Sequence, residues 1–167
     1  MTHLRPATEA DAPAILEIYR PIVLETAISF ELEPPSVEEM AVRVAKANSR
    51  WCWLVAERGG EVIGYAYGSA FRERPAYRFS VEVSAYVDAR HRVQGVARTL
   101  YEALLAELTR LGYCRAFAGI ALPNDASVAL HEALGFEPVG VFRAAGWKFG
   151  RWHDVGWYQR GLAEDPV

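Results

Sequence analysis

The chain has 167 residues, of which 51% are hydrophobic and 23% are charged, which is the composition of a folded globular protein and not of a disordered one. Its 18 Lys and Arg against 21 Asp and Glu give a net charge of −3, which excludes a general nucleic-acid binder because phosphate contacts require an excess of basic side chains. The length suits one compact domain, and we expect residues 1–167 to form it.

Several familiar site patterns are absent from the sequence. Cys52 and Cys114 have no metal-binding spacing, and we expect both to be small buried residues. The four histidines are too scattered to predict a metal site, and the glycine-rich loops of nucleotide-binding proteins are missing. No run of about 18 apolar residues could span a bilayer, and the first residues lack the pattern of a signal peptide. We therefore expect a cytoplasmic protein that binds no metal and no membrane.

The first half of the chain predicts two helices followed by strands. One helix ends at about Pro21, and a second covers 36–48, where a serine and a glutamate three residues apart form a capping box. From residue 51 to 71, short apolar and aromatic runs replace the helical pattern. The sequence Arg-Gly-Gly at 58–60 divides them and is typical of an antiparallel hairpin. A run rich in valine and tyrosine at 80–88 predicts a third strand.

The second half predicts alternating helices and strands. Leucines at helical spacing over 100–111 predict a helix, 114–121 a strand, 126–134 a short helix, and 139–160 two further strands. With a first strand before the helices, the order β-α-α-β-β-β-α-β-α-β-β predicts an α/β protein with a mixed sheet flanked by helices. We expect the aromatic-rich end of the chain to pack in the core or in a dimer interface, through Trp147, Lys148, Phe149, Trp152 and Trp157.

The segment before the third helix has the residues of an anion-binding turn. Arg92, Gly95 and Ala97 form the spacing Arg-x-x-Gly-x-Ala. Small residues at the start of a helix let its backbone N–H groups approach an anion. Residues 70–98 carry six arginines and three acidic residues, an excess of three positive charges in a chain that is negative overall. A tight turn with solvated arginines explains the same pattern, and both interpretations remain open from the spacing alone.

The chain as a whole resembles the GCN5-related N-acetyltransferases and, within them, the phosphinothricin and methionine sulfone or sulfoximine acetyltransferases. The resemblance rests on the runs RPAYRFSVEVSAYVD, HRVQGVARTLYEALL, NDASVALHEALGF and GWKFGRWHDVGWYQR. It implies an α/β fold with a mostly antiparallel sheet of about seven strands and about four helices. It also implies a homodimeric enzyme that transfers an acetyl group directly from acetyl-CoA to the α-amino group of a small amino-acid-like acceptor.

The resemblance also implies where acetyl-CoA binds. Ala85, Tyr86 and Val87 would pair with the amides of the pantetheine arm like an added strand. Asn124 would bond the same arm, although capping the following helix is an equally good explanation of this residue. The turn would hold the diphosphate through backbone N–H groups, and its residues are Val93, Gln94, Gly95, Val96, Ala97 and Arg98.

Two residues are candidates for proton transfer. Glu82 lies between two valines in a strand, an unfavourable place for a charge unless it faces a polar cleft. An α-amino group is mostly protonated near pH 7 and needs a base, and the resemblance implies that Glu82 serves it directly or through water. His131 stands where many family members have a tyrosine that protonates the leaving thiolate, so the acid is either His131 or a water molecule.

Arginines near the 80–88 strand predict a small anionic acceptor. Arg72 and Arg74 suit carboxylate and tetrahedral oxyanion groups, because the guanidinium offers paired N–H donors. The resemblance adds acceptor contacts at Pro75, Ala76 and Tyr77, and Phe30 is a candidate wall of the pocket. Each of these residues, taken alone, also fits an ordinary surface loop. Two other functions remain open: a lysine or amino-terminal peptide acetyltransferase, which would want an open groove, and a non-catalytic acyl-CoA-binding sensor domain.

Overall fold

The computed structural model describes residues 1–166, and Val167 lies outside the described part. Its seven strands are β1 His3–Pro6, β2 Trp53–Arg58, β3 Glu61–Ala70, β4 Ser80–Val87, β5 Arg115–Leu122, β6 Glu137–Lys148 and β7 Arg151–Gly161. They form one sheet in the order β1-β2-β3-β4-β5-β7-β6. All neighbouring strands are antiparallel except β4 and β5, which are parallel. The predicted α/β fold with a mostly antiparallel sheet is confirmed.

Four helices cover the two faces of the sheet, and their bounds are α1 Ala12–Glu25, α2 Val37–Arg50, α3 Val96–Arg110 and α4 Asp125–Ala133. Helices α1 and α2 share a buried cluster with β2 and β3 on one face. The buried leucines of α3 form a second cluster with β3, β4 and β5 on the other face. The sheet therefore separates two layers of helices, the α1/α2 face and the α3/α4 face.

Strand β4 contributes side chains to both faces. Val81 and Val83 belong to the cluster under α3, whereas Tyr86 packs against the cluster under α1 and α2. Because side chains alternate along a strand, Glu82 and Ser84 point to the α1/α2 face with Tyr86. The strand thus buries its valines and turns its carboxylate toward α1 and α2.

The end of helix α1 differs from the prediction, and the start of helix α2 agrees with it. Helix α1 continues through Pro21 to Glu25, whereas the sequence predicts its end at Pro21. An internal proline costs roughly 3 kcal/mol, but Ile22 and Val23 beyond it are fully buried, and each contributes about 1.5–3 kcal/mol. Helix α2 begins as expected, because the Ser36 side chain accepts a hydrogen bond from the Glu39 backbone N–H.

The terminal hairpin β6–β7 corrects a second expectation. Trp147, Phe149 and Trp152 are 57%, 58% and 58% exposed, so these three do not pack in the core, and the other alternative, a dimer interface, stays a prediction for them. The hairpin forms the edge of the sheet, and nearly all residues of its outer strand β6 are exposed. Lys148, by contrast, is 4% exposed and lies inside the protein. Trp157 is half-buried.

Smaller expectations agree with the structure. Cys52 and Cys114 are both buried. The hairpin at 58–60 turns through Gly59 and Gly60, whose φ angles of 59° and 81° are the positive values that a tight two-residue turn requires. None of the helices in residues 1–166 is both long enough and apolar enough to cross a membrane.

Candidate active site

A cleft opens in the middle of the sheet because β4 and β5 pair over only three residues. Their ladder ends where Glu82 lies opposite Phe117, although β4 continues to Val87 and β5 to Leu122. The diverging segments, with Tyr101, Asn124 and His131, line the cleft. Beyond Glu82, β4 has no strand partner on this side, and such an edge pairs readily with an extended, amide-bearing chain.

The turn before α3 offers backbone donors to an anion. Gly95 occupies the N-cap position with φ +78°, and no side chain caps the helix there. The first N–H groups of a helix have no partner within it, and the helix dipole adds a positive potential at this end. Val93, with φ +62°, takes a left-handed conformation that is uncommon for a β-branched residue. The backbone of this turn therefore fits a diphosphate.

The side chains of the turn are mostly engaged elsewhere. Gln94 accepts a hydrogen bond from Arg58 at 2.6 Å, and Arg98 pairs with Glu102 at 2.9 Å. Val96 is buried in the cluster under β3. A ligand at this turn would therefore contact mainly its backbone N–H groups and the small Ala97.

Glu82 lies at the closed end of the cleft, on the α1/α2 face. It is half-buried, and no described side chain donates a hydrogen bond to it. Burial raises the pKa of its carboxyl, while the positive charge of Arg72 works in the opposite direction. A carboxylate with a raised pKa in a cleft is suited to accept a proton near neutral pH.

His131 and Tyr101 form a buried pair on the α3/α4 face. The Nδ1 atom of His131 lies 2.7 Å from the Ser127 carbonyl oxygen, which can only accept, so Nδ1 carries the proton. Burial lowers the pKa of His131, which favours the neutral ring. Its unprotonated Nε2 then accepts the hydroxyl hydrogen of Tyr101 at 3.1 Å. With the ring neutral, the Tyr101 hydroxyl hydrogen is therefore directed at Nε2, and both residues line the cleft.

Asn124 performs the capping role that the sequence allows. Its side-chain oxygen accepts a hydrogen bond from the Ser127 backbone N–H at 3.2 Å, at the start of α4. The two N–H donors of the same amide make no hydrogen bond to residues 1–166 and remain available on the wall of the cleft. Capping and ligand binding are therefore compatible.

Four of the six predicted acceptor residues lie around one depression, and Phe30 lies apart from it. Arg72, Arg74, Pro75 and Tyr77 line a depression of about 230 Å³. Three further cations that the sequence analysis did not select line the same depression, and they are Lys46, Arg50 and Arg78. None of its five cations makes an ion pair within the described residues.

Arg72 is held by aromatic rings: its guanidinium lies 4.3 Å from the ring centre of Phe71 and 5.7 Å from that of Trp157. Ala76 is exposed in the same short turn as Pro75 and Tyr77. Phe30 lies apart, in the loop between α1 and α2, and does not line the depression. The fold thus groups Arg72 and Arg74 around one depression and places the Phe30 ring away from it.

A polar network on the α1/α2 face escaped the sequence analysis. Glu31 accepts two hydrogen bonds from Arg43, at 2.6 and 2.9 Å, and a third from the Tyr19 hydroxyl. The buried Lys148 donates three hydrogen bonds to backbone carbonyls of α1 and the following loop. These contacts join positions 12 to 125 residues apart, so no local pattern indicates them. In residues 1–166, no group of three or more metal-ligating side chains comes together.

Three comparisons relate the chain to known proteins. The model of the acetyltransferase (GNAT) domain matches residues 4–157. A phosphinothricin N-acetyltransferase of Streptomyces viridochromogenes is 43% identical over 157 residues, which cover 94% of this chain and 86% of that protein. An L-methionine sulfoximine/L-methionine sulfone acetyltransferase of Salmonella typhimurium is 36% identical, with 96% and 95% covered. The crystal structure of a GNAT superfamily phosphinothricin acetyltransferase from Sinorhizobium meliloti in complex with AcCoA superimposes with a TM-score of 0.95 at 42% identity, covering 99% of this chain and 93% of that one.

Proposed function

This chain belongs to the GNAT acetyltransferase family and is an N-acetyltransferase, and we propose that it acetylates the α-amino group of a small amino-acid-like acceptor of the phosphinothricin, methionine sulfone or methionine sulfoximine type. The observation that carries the proposal is the cleft between β4 and β5, with Glu82 on one face of the sheet and the His131–Tyr101 pair on the other. We also propose that the whole chain acts as one transferase domain.

Acetyl-CoA, which supplies the acetyl group, fits the α3/α4 side of this cleft. The free edge of β4 at Ala85, Tyr86 and Val87 would pair with the amides of its pantetheine arm. The uncapped start of α3, with Gly95 in a left-handed conformation, would bind its diphosphate. The free amide N–H groups of Asn124 would bond the arm from the opposite wall.

Glu82 is the proposed base. An α-amino group has a pKa of about 7.7–8.0 in peptides, so most of it is protonated at neutral pH and cannot attack a thioester. With its pKa raised by burial, Glu82 accepts the amine proton directly or through a water molecule as the N–C bond forms. The backbone N–H groups of β4 that face the cleft are suited to stabilise the charge on the carbonyl oxygen.

The His131–Tyr101 pair is the proposed acid. When the C–S bond breaks, the departing sulfur needs a proton. A protonated His131 donates from Nε2 to the Tyr101 oxygen, so the Tyr101 hydroxyl hydrogen is free to pass to the sulfur while the Nε2 proton replaces it, which leaves Tyr101 a hydroxyl and the ring neutral. When the ring is neutral from the start, the hydroxyl hydrogen is bonded to Nε2 and burial raises the pKa of Tyr101, so a water molecule is then the acid. Cys52 and Cys114 lie in the core and take no part.

Arg72 and Arg74 are the proposed ligands of the acceptor's oxyanion groups, with Tyr77 and the turn at 75–77 at the rim and Phe30 as a wall. The five unpaired cations of the depression attract an acceptor that carries a carboxylate and a second oxygen-rich group. A lysine side chain in a peptide carries a positive charge and is repelled by the same surface.

The test is the release of free CoA thiol from acetyl-CoA, measured separately with phosphinothricin, methionine sulfone and a lysine peptide. Turnover with at least one of the two small acceptors, and little with the peptide, supports the proposal. Turnover with the peptide alone would identify a protein acetyltransferase. Binding of acetyl-CoA without turnover of any acceptor would identify a sensor domain.

We propose a homodimer that uses the exposed side of the β6–β7 hairpin. Trp147 and Trp152 stack edge to face at 5.2 Å, and each is more than half exposed, which is unusual for a monomer surface. We expect Trp152→Glu to convert a dimer to a monomer in sedimentation equilibrium. Val42→Glu, on the exposed face of α2, is the matched control and should stay dimeric. A wild-type protein that sediments as a monomer contradicts the proposal.

A further inference from the structure

The loop between α1 and α2, residues 26–36, forms a wall of the cleft. Ile28 lines the opening between β4 and β5, together with Ser84 and Tyr86. Phe30 follows two residues later and is 38% exposed. The loop has no regular secondary structure of its own, so contacts with other elements must fix its conformation.

Lys148, at the tip of the β6–β7 hairpin, holds this loop from the far end of the chain. Its ammonium group donates to the carbonyl oxygens of Val23 at 2.7 Å, Ser29 at 2.8 Å and Glu31 at 2.8 Å. An ammonium group has three donors, and here each has an acceptor. One side chain thus joins the last turn of α1 to the middle of the loop and is itself 4% exposed.

The same hairpin tip also sets the position of the Phe30 ring. Gly146 lies against this ring so closely that a methyl group on its Cα would overlap the ring edge. His153, across the hairpin from Gly146, has its ring centre 6.1 Å from that of Phe30 and bonds the Lys148 carbonyl through Nε2 at 2.9 Å. Glycine at 146 leaves the space that the ring occupies.

We propose that the β6–β7 hairpin tip, through Lys148 and Gly146, is the positioning element that fixes the 26–36 loop as the wall of the acceptor site. The inference rests on the proposed function, in which Phe30 contacts the acceptor. Lys148 does not touch the reacting atoms; it acts through the loop. If this wall moves by about 1 Å, the acceptor is no longer held in its reactive orientation, and the rate of the reaction can fall by about a hundredfold.

Gly146→Ala tests the position of the ring. The added methyl group displaces Phe30, and we expect the KM for the acceptor to rise about tenfold or more, while the KM for acetyl-CoA stays within about twofold. Gly140→Ala is the matched control on the same strand, because a Cβ there meets no atom within 4 Å. In a Phe30→Ala background, Gly146→Ala should add nothing. An unchanged acceptor KM, or a full additional effect in that background, overturns the proposal.

Lys148→Met tests the loop independently of activity. Loss of the three hydrogen bonds should make amide hydrogen exchange in 26–36 at least about tenfold faster, with the α3 amides at 100–108 unchanged and a cooperative thermal transition retained. Equal exchange in the variant and the wild type overturns the positioning role. If the wild type acetylates no acceptor, the proposed function fails, and the exchange experiment still decides whether the hairpin holds the loop.

Discussion

The two faces of the sheet build their halves of the site in different ways. On the α3/α4 face, the contacts around the cleft span short stretches of chain: Asn124 and His131 each bond Ser127, three and four residues away, and the contact between Tyr101 and His131 spans 30 residues. On the α1/α2 face, Lys148 bonds carbonyls 117 to 125 residues away, and the acceptor wall comes from a loop that other elements hold. The proposed cofactor half therefore depends mainly on contacts within short stretches of the chain, and the proposed acceptor half on contacts between distant parts of it.

This difference has a consequence for specificity. A diphosphate and a chain of amides are recognised by backbone groups, which short motifs can place wherever a strand leads into a helix. An acceptor is recognised by side chains whose positions depend on packing between distant elements. Substitutions on the α1/α2 face should therefore change which acceptor is used, whereas substitutions around the turn before α3 should change cofactor binding for every acceptor.

Glu82→Gln should have the largest effect, because it removes the proposed base at the last residue where β4 pairs with β5. We expect kcat to fall by about 10²–10⁴ near neutral pH with acetyl-CoA affinity unchanged, measured by thiol release and calorimetry. The deficit should shrink as the pH approaches the pKa of the acceptor amine, which then needs no base. Glu17→Gln, on the exposed side of α1, is the control. A kcat within about twofold of the wild type would show that Glu82 is not the base.

Gly95→Val should break the cofactor half alone. With φ +78°, valine strains the turn, and loss of the helix-terminus contact of up to about 2 kcal/mol weakens acetyl-CoA binding by about thirtyfold. Gly112→Val is the matched control, because Gly112 has φ +98° at the other end of α3 and, like Gly95, has open space around it. Both variants should lose about 1–2 kcal/mol of stability in urea unfolding. Equal acetyl-CoA affinity in the two variants contradicts the assignment.

Arg72→Gln should have a smaller effect, confined to the acceptor half. We expect the KM for the acceptor to rise about tenfold, equivalent to ~1.4 kcal/mol, with acetyl-CoA binding retained. Because the charge of Arg72 lowers the pKa of Glu82, its removal raises that pKa further, and the acidic limb of the kcat/KM profile moves to higher pH. Arg110→Gln, at the exposed end of α3, should change neither quantity. An acidic limb that stays in place or moves to lower pH excludes the coupling to Glu82.

Much of the fold was predictable, because the signals are local. The capping box at Ser36, the two-glycine hairpin and the leucine spacing of α3 each act within a few residues, and the structure contains all three elements. The end of α1 was not predictable in the same way. Pro21 is a local stop signal, and only the burial of Ile22 and Val23 against the sheet overrides it.

The candidate site likewise combines residues that local patterns indicate with residues that only the fold brings together. Gly95 was selected from the spacing at a helix start, Glu82 from its position between two valines, and Asn124 from the family resemblance, with capping as the other explanation. Lys148 was expected only to pack with the aromatic residues near it, and Tyr101 was not among the predicted site residues, because its contact with His131 joins α3 to α4. Phe30 was expected as a wall of the acceptor pocket, but its packing against Gly146 depends on the assembled fold.

The sequence by itself determined the order of the elements and the family to which the chain belongs, and it indicated an anion-binding backbone at the turn before α3. Only the tertiary structure decided that β4 and β5 diverge after Glu82, that Tyr101 meets His131, and that Lys148 reaches back to the 26–36 loop. The physical reason is the distance along the chain between the residues that make each contact. Caps, turns and helical faces depend on neighbours within a few residues, whereas a wall built from both ends of the chain exists only when the sheet brings those ends together.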